Sequence, residues 1–420
     1  METIVQKIYG IKSETLALMR RAEQELGDVF AGFEKKAEQN QAKVLAAFHG
    51  EGVSERHLLG TTGYGYDDAG RDALETIYAQ VFEAEAALVR QQFVSGTHAL
   101  VACFFGVLRP GDTLVFATGT PYDTLEEVVG LRGEGDMGSL ADWGVSCRVV
   151  PLLEDGTPDF EALRGAIDDS VKMVSIQRSK GYAWRKSLSV TDIGSVIEFV
   201  KDIRSDIVCM VDNCYGEFVE DKEPTAVGAD LMAGSLIKNP GGGLAPTGGY
   251  IAGRADLVEK VACRLTAPGI GGEVGATLDV NRLFYQGLFL APHTVLQSMK
   301  SAALAAKMLE LAGFATCPKS DEARTDIIQA VRLGDREKVC AFCQGIQKGS
   351  PIDSRVTPMP WDMPGYESPV IMAAGTFVSG ASIEISADAP IREPYAVYLQ
   401  GGLTYESAKI ALLCAIDKIL

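Results

Sequence analysis

The segment AGSLIKNPGGGLAPTGGYIAG, residues 233–253, places a single lysine, Lys238, between an apolar run and a turn that is rich in glycine. The residues before Lys238 have the composition of a buried strand end. The glycines after it allow the backbone to turn sharply beside a bulky group. For so short a motif, the alternative is a surface turn that happens to contain a lysine. The rest of the chain decides between the two.

The surrounding sequence alternates between strand-like runs and helical stretches. Seven runs have the composition of strands: ALVRQQFV, TLVFAT, CRVVPL, KMVSIQ, IVCMVD, LMAGSLI and GGYIAG. This alternation predicts an α/β fold with a mostly parallel sheet covered by helices on both faces. We expect residues 1–48 to form a helical arm, residues 49–292 a large α/β domain, and residues 293–420 a smaller α+β domain. The last of these contains the helical stretch HTVLQSMKSAALAAKMLELAG, the strand-like FVSGASIEIS and the final helix TYESAKIALLCAIDKIL.

Composition narrows the class of function. The chain has 420 residues, of which 47% are hydrophobic and 23% charged, as in soluble globular proteins. No apolar run approaches the ~18 residues of a membrane span, and the charged N-terminus is unlike a signal peptide, so we expect a cytoplasmic protein. A net charge of −17 argues against nucleic acid as a partner. Small molecules are the expected partners.

Cysteine and histidine patterns do not favour a metal centre. Nine cysteines at irregular spacing suggest reduced thiols rather than a disulfide framework. Cys340 and Cys343 form one CxxC pair, whose alternative use in zinc binding or redox chemistry would need a second pair of ligands. The four histidines are well separated in the sequence. We therefore predict no metal site.

Polar residues follow five of the predicted strands. The segments are Ser95–His98, Thr120–Asp123, Arg178–Tyr182, Asp212–Tyr215 and Lys238. In open α/β sheets, ligands bind at the carboxyl ends of the strands. The five segments are therefore expected to converge on one site. They would supply an anion cradle, an aromatic ring, a basic loop, a carboxylate and an amine.

These groups match what pyridoxal 5′-phosphate requires. The cofactor needs a lysine to form an imine with its aldehyde, and Lys238 is the candidate. A buried carboxylate, Asp212, would keep the pyridine nitrogen protonated, and Tyr122 could stack on the ring. The phosphate suits the backbone N–H groups of a helix N-terminus, which the cofactor-binding candidates Ser95, Gly96 and Thr97 would provide. Each element alone has a structural alternative, namely an N-cap, a turn or a packing contact, but their order predicts the cofactor.

The chain also resembles a known family. The segments TTGYGYDDAGRD, FVSGTHAL, PYDTLEEVVG, IQRSKGYAWR, VDNCYGEFVE, AGSLIKNPGGG and VYLQGGLTYE are similar to those of fold-type-I pyridoxal-phosphate enzymes. Within them they resemble the methionine gamma-lyase-like or cystathionine beta-lyase-like branch known as aluminium resistance proteins. The resemblance implies the aspartate-aminotransferase-like fold, an imine on Lys238, Asp212 at the pyridine nitrogen and Tyr122 on the ring. It also implies a homo-oligomer, a tetramer built of close dimers.

Further site residues follow from the resemblance. Tyr64 and Tyr66 lie where related lyases reach across the dimer to the neighbour's phosphate, although Arg71 is too far along the chain to match their arginine. Ser235 fits a further phosphate ligand. Arg392 is the candidate for the substrate carboxylate, because a guanidinium grips a carboxylate with two parallel hydrogen bonds. The alternative for Arg392 is a surface ion pair with Glu393.

The basic loop RSKGYAWR departs from the pattern of well-studied lyases. Its residues Arg178, Lys180 and Arg185 are candidates for binding an additional anionic group of the substrate, the alternative being a solvated loop.

The resemblance implies a carbon–sulfur lyase acting on a sulfur-containing amino acid, by β- or γ-elimination. Racemisation, transamination and aldol cleavage begin from the same carbanion and stay open, as does a catalytically silent protein that keeps the cofactor. A nicotinamide-dependent Rossmann enzyme is disfavoured, because no GxGxxG joins a first strand to a helix with an acidic residue downstream.

Overall fold

The computed structural model describes residues 2–363 and 366–420, with side chains described from residue 4 onward. In these ranges the helices are α1 (Glu2–Tyr9), α2 (Ser13–Glu25), α3 (Gly27–Gly50), α4 (Ala69–Val81), α5 (Gly96–Val107), α6 (Asp123–Val129), α7 (Phe160–Ala166), α8 (Val190–Ile203), α9 (Ala255–Leu265), α10 (Asn281–Leu311), α11 (Arg336–Gly349) and α12 (Tyr405–Ile419). The strands are β1 (Ala86–Arg90), β2 (Thr113–Phe116), β3 (Ser146–Val149), β4 (Val171–Gln177), β5 (Val208–Asp212), β6 (Leu231–Ser235), β7 (Gly249–Gly253), β8 (Ala315–Cys317), β9 (Gln329–Arg332), β10 (Val370–Ala373), β11 (Ser386–Pro390) and β12 (Ala396–Gln400).

A large mixed sheet contains all seven strands predicted between residues 86 and 253. Their spatial order is β1-β7-β6-β5-β4-β2-β3. Strands β2 to β6 run parallel to their neighbours within that group, while β7 is antiparallel to both β6 and β1. Every residue of the central strand β5, VCMVD, is buried, as a strand covered on both faces requires. The predicted α/β architecture is confirmed.

The parallel register brings the ends of neighbouring strands together. Gln177 at the end of β4 pairs with Asp212 at the end of β5, and Asp212 pairs with Ala233 on β6. Strand β6 ends at Ser235, three residues before Lys238. The segments that follow these strands therefore meet at one edge of the sheet.

The glycines after Lys238 allow the loop to pack against helix α10. A Cβ at Gly241 would lie 1.7 Å from the carbonyl oxygen of Leu236. Gly242 has a φ of +56°, and a Cβ there would lie 2.3 Å from the carbonyl oxygen of Gly287 on α10. Only glycine fits both positions, so the glycine run holds the Lys238 loop in place.

A smaller antiparallel sheet has the order β10-β11-β12-β9-β8. Helix α11 contacts β10, β11 and β12, and α12 packs against α11. The predicted strand FVSGASIEIS is wrong except for its last residue, Ser386, where β11 begins. The Glu384 carboxylate accepts hydrogen bonds from the N–H groups of Phe377 and Val378 at 2.6 and 2.8 Å, which closes this segment into a loop.

The N-terminal helical arm and the long helix are both present. Helices α1 to α3 cover the predicted arm, and α10 runs from Asn281, twelve residues before the predicted helical stretch. The predicted domain boundary at residue 292 therefore lies inside a helix, and the division into domains stays a prediction. Within the described ranges, the helices lack the combination of length and apolar character needed to cross a membrane.

Candidate active site

A cavity of about 780 Å³ lies at the carboxyl edge of the large sheet and is bounded on its other side by residues of the small sheet. Its size is typical of small-molecule sites. Most of the predicted site residues line it: Ser95, Gly96, Thr97, Tyr122, Asp212, Ser235, Lys238 and Arg392. The predicted convergence of the strand ends is therefore what the structure shows.

Lys238 lies inside the cavity with its ammonium over an aromatic ring. Its Nζ is 3.9 Å from the ring centroid of Tyr215, at a distance typical of a cation–π contact. Burial acts to lower the pKa of Lys238, but Cys214, Tyr215 and the Asp212 carboxylate outweigh it and raise the pKa above its usual value. Without the cofactor this amine is therefore protonated.

Asp212 ends strand β5 as a buried carboxylate, 6% exposed. Its Oδ1 accepts a hydrogen bond from the backbone N–H of Cys214 at 3.1 Å, and it makes no ion pair within 4 Å among the described residues. Burial raises the pKa of Asp212, while the Lys238 charge and the Cys214 N–H oppose the rise. A buried carboxylate without a close cation fits the protonated nitrogen of a pyridine ring.

A phosphate cradle lies at the N-terminus of helix α5. Ser95 caps the helix by accepting a hydrogen bond from the N–H of His98 at 3.1 Å. A Cβ at Gly96 would lie only 3.1 Å from the Cβ of Ser235, so glycine allows the helix to approach β6. The hydroxyls of Ser95, Thr97 and Ser235, together with the free N–H groups of the first turn, form a donor set suited to a phosphate.

Tyr122 faces this cradle. Its hydroxyl is 2.8 Å from the hydroxyl of Thr97, and its backbone N–H donates to Oε1 of Gln177 at 3.1 Å. Burial, followed by the Asp212 charge, raises the pKa of the Tyr122 phenol, which stays protonated. The phenol can therefore act as a hydrogen-bond donor in the site.

These residues fit pyridoxal 5′-phosphate, since amine, carboxylate, aromatic ring and anion cradle share one cavity. The chain matches the family model described as methionine gamma-lyase over residues 15–420. The chain belongs to the methionine gamma-lyase family. The cofactor of this chain is accordingly pyridoxal 5′-phosphate, and more distant structures of the same fold include pyridoxal-phosphate-dependent proteins.

Similar proteins of this family cover almost the whole chain. The uncharacterized protein YnbB of Bacillus subtilis (strain 168) is 54% identical over 407 residues, which is 96% of this chain and 97% of YnbB. The crystal structure of a carbon-sulfur lyase involved in aluminum resistance from Clostridium novyi NT is 53% identical, with a TM-score of 0.95 over 99% of this chain and 98% of that one. A structure from Clostridium acetobutylicum, provisionally named a cystathionine beta-lyase involved in aluminum resistance, is 48% identical with a TM-score of 0.97, covering 100% and 99% of the two chains.

Arg178 does not have the position that the substrate-binding prediction requires. Its side chain is fully buried outside the cavity, with Nη2 2.7 Å from Oε2 of Glu220 and Nη1 3.3 Å from Oε2 of Glu223. Nη1 also donates to Oδ1 of Asn213 at 2.7 Å. Because both glutamates already hold the guanidinium, Arg178 is part of a structural ion-pair cluster and not a substrate ligand.

The other two basic residues of this loop are also engaged. Lys180 lines the cavity, but its Nζ donates to the carbonyl oxygen of Cys317 at 3.0 Å. Arg185 donates to the carbonyl oxygen of Ser179 at 2.9 Å. The loop is therefore ordered by its own contacts rather than solvated.

Arg392 lies at the rim of the cavity with its side chain 45% exposed. Its Nη1 is 3.4 Å from Oε2 of Glu367, so the surface ion pair that was the alternative to substrate binding is made with this glutamate and not with Glu393. This single, long, exposed contact leaves the guanidinium available to a carboxylate. A role in substrate binding stays a prediction.

Tyr64 and Tyr66 lie on the surface and not in the cavity of this chain. They are 72% and 58% exposed, and their rings stack with centroids 5.6 Å apart. Arg71, which follows them, is buried and donates to the carbonyl oxygen of Gly65 at 2.6 Å. Arg71 thus shapes this loop, and the contact of the two tyrosines with a neighbouring subunit stays a prediction.

Sequence reasoning missed Tyr215 and the small-sheet wall of the cavity. Tyr215 has a φ of +73°, an unusual backbone conformation for tyrosine that directs its ring to Lys238. Its position three residues after Asp212 was the one feature of the sequence that pointed to a place in the site. The backbone conformation that turns its ring towards Lys238 cannot be read from the sequence. The small-sheet residues that line the cavity are more than 130 residues after Lys238 in the chain, and no sequence motif marked them as part of the site.

The buried carboxyl group of Glu217 is expected to make the free energy of unfolding depend on pH. Its Oε1 accepts a hydrogen bond from the Tyr250 hydroxyl at 2.8 Å, while Oε2 has no hydrogen-bond partner among the described residues. Burial raises the pKa of Glu217 to about 8. The folded state therefore holds a proton that the unfolded state has released, and stability falls as the pH rises from the unfolded pKa of about 4.3 through about 8.

Glu217→Gln is expected to remove this part of the pH dependence, worth a few kcal/mol at most, because the amide imitates the neutral acid. The free energy of unfolding, measured in urea at about pH 6 and about pH 9, provides the test. Glu154→Gln removes an exposed carboxyl and should leave the pH dependence unchanged. Equal pH dependence in wild type and Glu217→Gln would contradict the assignment.

Proposed function

We propose that this protein cleaves a carbon–sulfur bond of a sulfur-containing amino acid by β- or γ-elimination, releasing a thiol, ammonia and a 2-oxo acid. The observation that carries the proposal is that Asp212, at the end of β5, and Lys238, three residues after the adjacent strand β6, line one cavity. The Clostridium novyi NT relative, named a carbon-sulfur lyase, supports this choice among the reactions of the cofactor.

Three groups of the cavity have distinct tasks in the proposed reaction. Asp212 stabilises a positive charge deep in the site, because a buried carboxylate is unfavourable unless a cation lies beside it. The helix α5 N-terminus and the hydroxyls around it hold an anion. Arg392 offers its guanidinium at the rim for the substrate's carboxylate. Pyridoxal phosphate, when bound, supplies the electron sink for the electrons of the broken C–H bond.

Lys238 moves the proton. Its amine, once neutral, is placed to take the proton from the carbon that bears the amino group, which makes it the general base. The protonated amine can return the proton to the departing sulfur, whose bond to carbon breaks with both electrons leaving on sulfur. The Tyr122 phenol, hydrogen-bonded to the Thr97 hydroxyl and protonated, is a second candidate proton donor in the same cavity. The remaining fragment reacts with water and gives the 2-oxo acid and ammonia.

We infer further that the protein works as a homo-oligomer, a dimer of dimers in the cytoplasm. The exposed and stacked pair Tyr64 and Tyr66 supports an interface between copies, because two large aromatic rings would otherwise be left in water.

The proposal is tested by incubating the purified holoenzyme with cystathionine, methionine and S-alkylcysteines and quantifying the 2-oxo acid released. Pyruvate indicates β-elimination, and 2-oxobutanoate from methionine indicates γ-elimination. We expect at least one of these compounds to yield a stoichiometric pair of thiol and 2-oxo acid. If the protein retains the visible absorption of the bound cofactor but releases no 2-oxo acid from any of them, the lyase assignment fails.

A further inference from the structure

Tyr215 presents its ring to the amine of Lys238 from a strained backbone conformation. Its φ of +73° places a bulky residue in the left-handed region that favours glycine. Such strain persists only where the surrounding structure fixes it, and it is concentrated at functional sites. The strained turn therefore indicates a task for the Tyr215 side chain.

Contacts with the small sheet hold the Tyr215 ring in place. The carbonyl oxygen of Tyr215 accepts a hydrogen bond from the N–H of Ile327 at 3.2 Å, from the chain just before β9. The ring packs against an apolar cluster that consists of Ile328, Ala330, Ala396 and Tyr398. The position of the ring is thus fixed by segments that lie more than 100 residues further along the chain.

The loop that carries Lys238 is joined to the same turn. Asn239 follows Lys238 directly, and its Nδ2 donates to the carbonyl oxygen of Glu217 at 3.0 Å, two residues after Tyr215. Both Asn239 and Glu217 are fully buried. The distance of 3.9 Å between Nζ of Lys238 and the ring centroid of Tyr215 is therefore fixed from both sides.

The ring face is the close contact that the structure provides for the charge of Lys238. In residues 4–363 and 366–420, Nζ makes no hydrogen bond and no ion pair. Other titratable groups act on the amine electrostatically from β5, the turn after it, the start of α6 and β11, and they are Asp212, Cys214, Glu217, Tyr122 and Asp388. An aromatic face attracts a cation more strongly where water is excluded.

We propose that Tyr215 is the positioning residue of the general base, and that the face of its ring holds Nζ of Lys238 as an ammonium. In the reaction, the C–H bond of the substrate breaks and its proton goes to Nζ. The proton stays beside the ring until it is given to the departing sulfur, which leaves with both electrons of the C–S bond. This inference rests on the proposed function for that proton transfer, whereas the contact itself does not depend on it.

The contact is tested without turnover by treating the cofactor-free, full-length protein with acetic anhydride and quantifying acetylated Lys238 by mass spectrometry. Only the neutral amine reacts, so the rate reports the fraction of Lys238 that has lost its proton. Tyr215→Leu removes the ring that stabilises the ammonium and should lower the pKa of Lys238 by about one unit, which raises the rate at about pH 9 about tenfold. Tyr215→Phe keeps the ring face and should react within about twofold of wild type.

Two further variants make this test specific. Tyr215→Gly also removes the ring and suits the positive φ, so it should show the same rise if Tyr215→Leu folds poorly. Tyr182→Leu is the matched control, because it opens the same cavity to the reagent but removes a ring that packs against Tyr366. Its Lys238 rate should equal that of wild type.

Three outcomes of the labelling would overturn the inference. The first is an unchanged Lys238 rate in both Tyr215→Leu and Tyr215→Gly. The second is an equal rise in Tyr215→Phe, because the hydroxyl and not the ring face would then hold the amine. The third is an equal rise in Tyr182→Leu, which would mean that the rate reports access to the cavity.

The pH dependence of kcat gives a second measurement on the holoenzyme, with a thioether amino acid that it cleaves. The base must be neutral to take the proton, and the loss of the ring lowers its pKa, so the acid limb of Tyr215→Leu should move to lower pH by about one unit. Its maximal kcat should fall about tenfold, because the amine is no longer held in place. Tyr215→Phe should restore both. A fall in kcat with an unmoved acid limb indicates a merely structural role and contradicts the inference.

The two measurements separate this inference from the proposed function. If the labelling responds as expected but no thioether yields a 2-oxo acid, the contact stands and the proposed function fails. If a 2-oxo acid is released but the loss of the Tyr215 ring does not change the Lys238 rate, the proposed function stands and the inference fails.

Discussion

Lys238→Ala is expected to abolish the visible absorption of lysine-bound pyridoxal phosphate and to lower 2-oxo acid release by about 1,000-fold or more. In the proposed mechanism the amine of Lys238 is the attachment point of the cofactor and the general base of the reaction, and general acid–base catalysis alone contributes about 10²–10⁴-fold. The measurement is an absorption spectrum of the purified variant after reconstitution with pyridoxal phosphate, followed by the 2-oxo acid assay.

Lys180 offers a matched control for this change. It is a second lysine that lines the same cavity, but its ammonium is held by the carbonyl oxygen of Cys317. Lys180→Met should therefore keep the visible absorption. If Lys238→Ala stays yellow while Lys180→Met loses its colour, the attachment point is Lys180 and our assignment is wrong.

Arg178→Ala is expected to destabilise the fold by about 3–5 kcal/mol, because Glu220 and the buried Glu223 lose their common cation. The surrounding structure is built to hold this guanidinium: a Cβ at Gly216 would lie 2.4 Å from Nε of Arg178. The free energy of unfolding in urea at neutral pH provides the test.

Arg148→Ala is the matched control, since Arg148 pairs with Asp168 at 2.8 Å in a half-exposed position. Such surface pairs contribute about 1 kcal/mol or less. The alternative role of Arg178 as a substrate ligand predicts the opposite pattern, in which KM rises while the free energy of unfolding is unchanged. That pattern would overturn the structural assignment.

Arg178 also shows where sequence reasoning reaches its limit. Its position directly after a strand suggested a residue of the site, as the same reasoning did for Asp212 and Lys238, which do line the cavity. The outcome was decided by Glu220 and Glu223, which lie 42 and 45 residues further along the chain and occupy the guanidinium. Nothing in the local segment RSKGYAWR signals partners at that separation.

The prediction of a strand over FVSGASIEIS was wrong for a related reason. Its composition is typical of a strand, but the Glu384 carboxylate accepts from the N–H groups of Phe377 and Val378, which a strand would have used in its ladder. A local side-chain contact thus replaced the expected strand pairing.

The sequence by itself determined the α/β fold, the seven strands of the large sheet and the cluster of Lys238, Asp212, Tyr122 and the helix N-terminus that Ser95 caps. It could do so because parallel strands end at one edge of the sheet, so that residues just after each strand must meet. Only the tertiary structure decided that Arg178 lies outside the cavity, that Arg392 pairs with Glu367, and that Asp388 on β11 and Gln400 on β12 line the cavity. Those outcomes depend on contacts between distant segments, and chain order does not specify which side chains such contacts bring together.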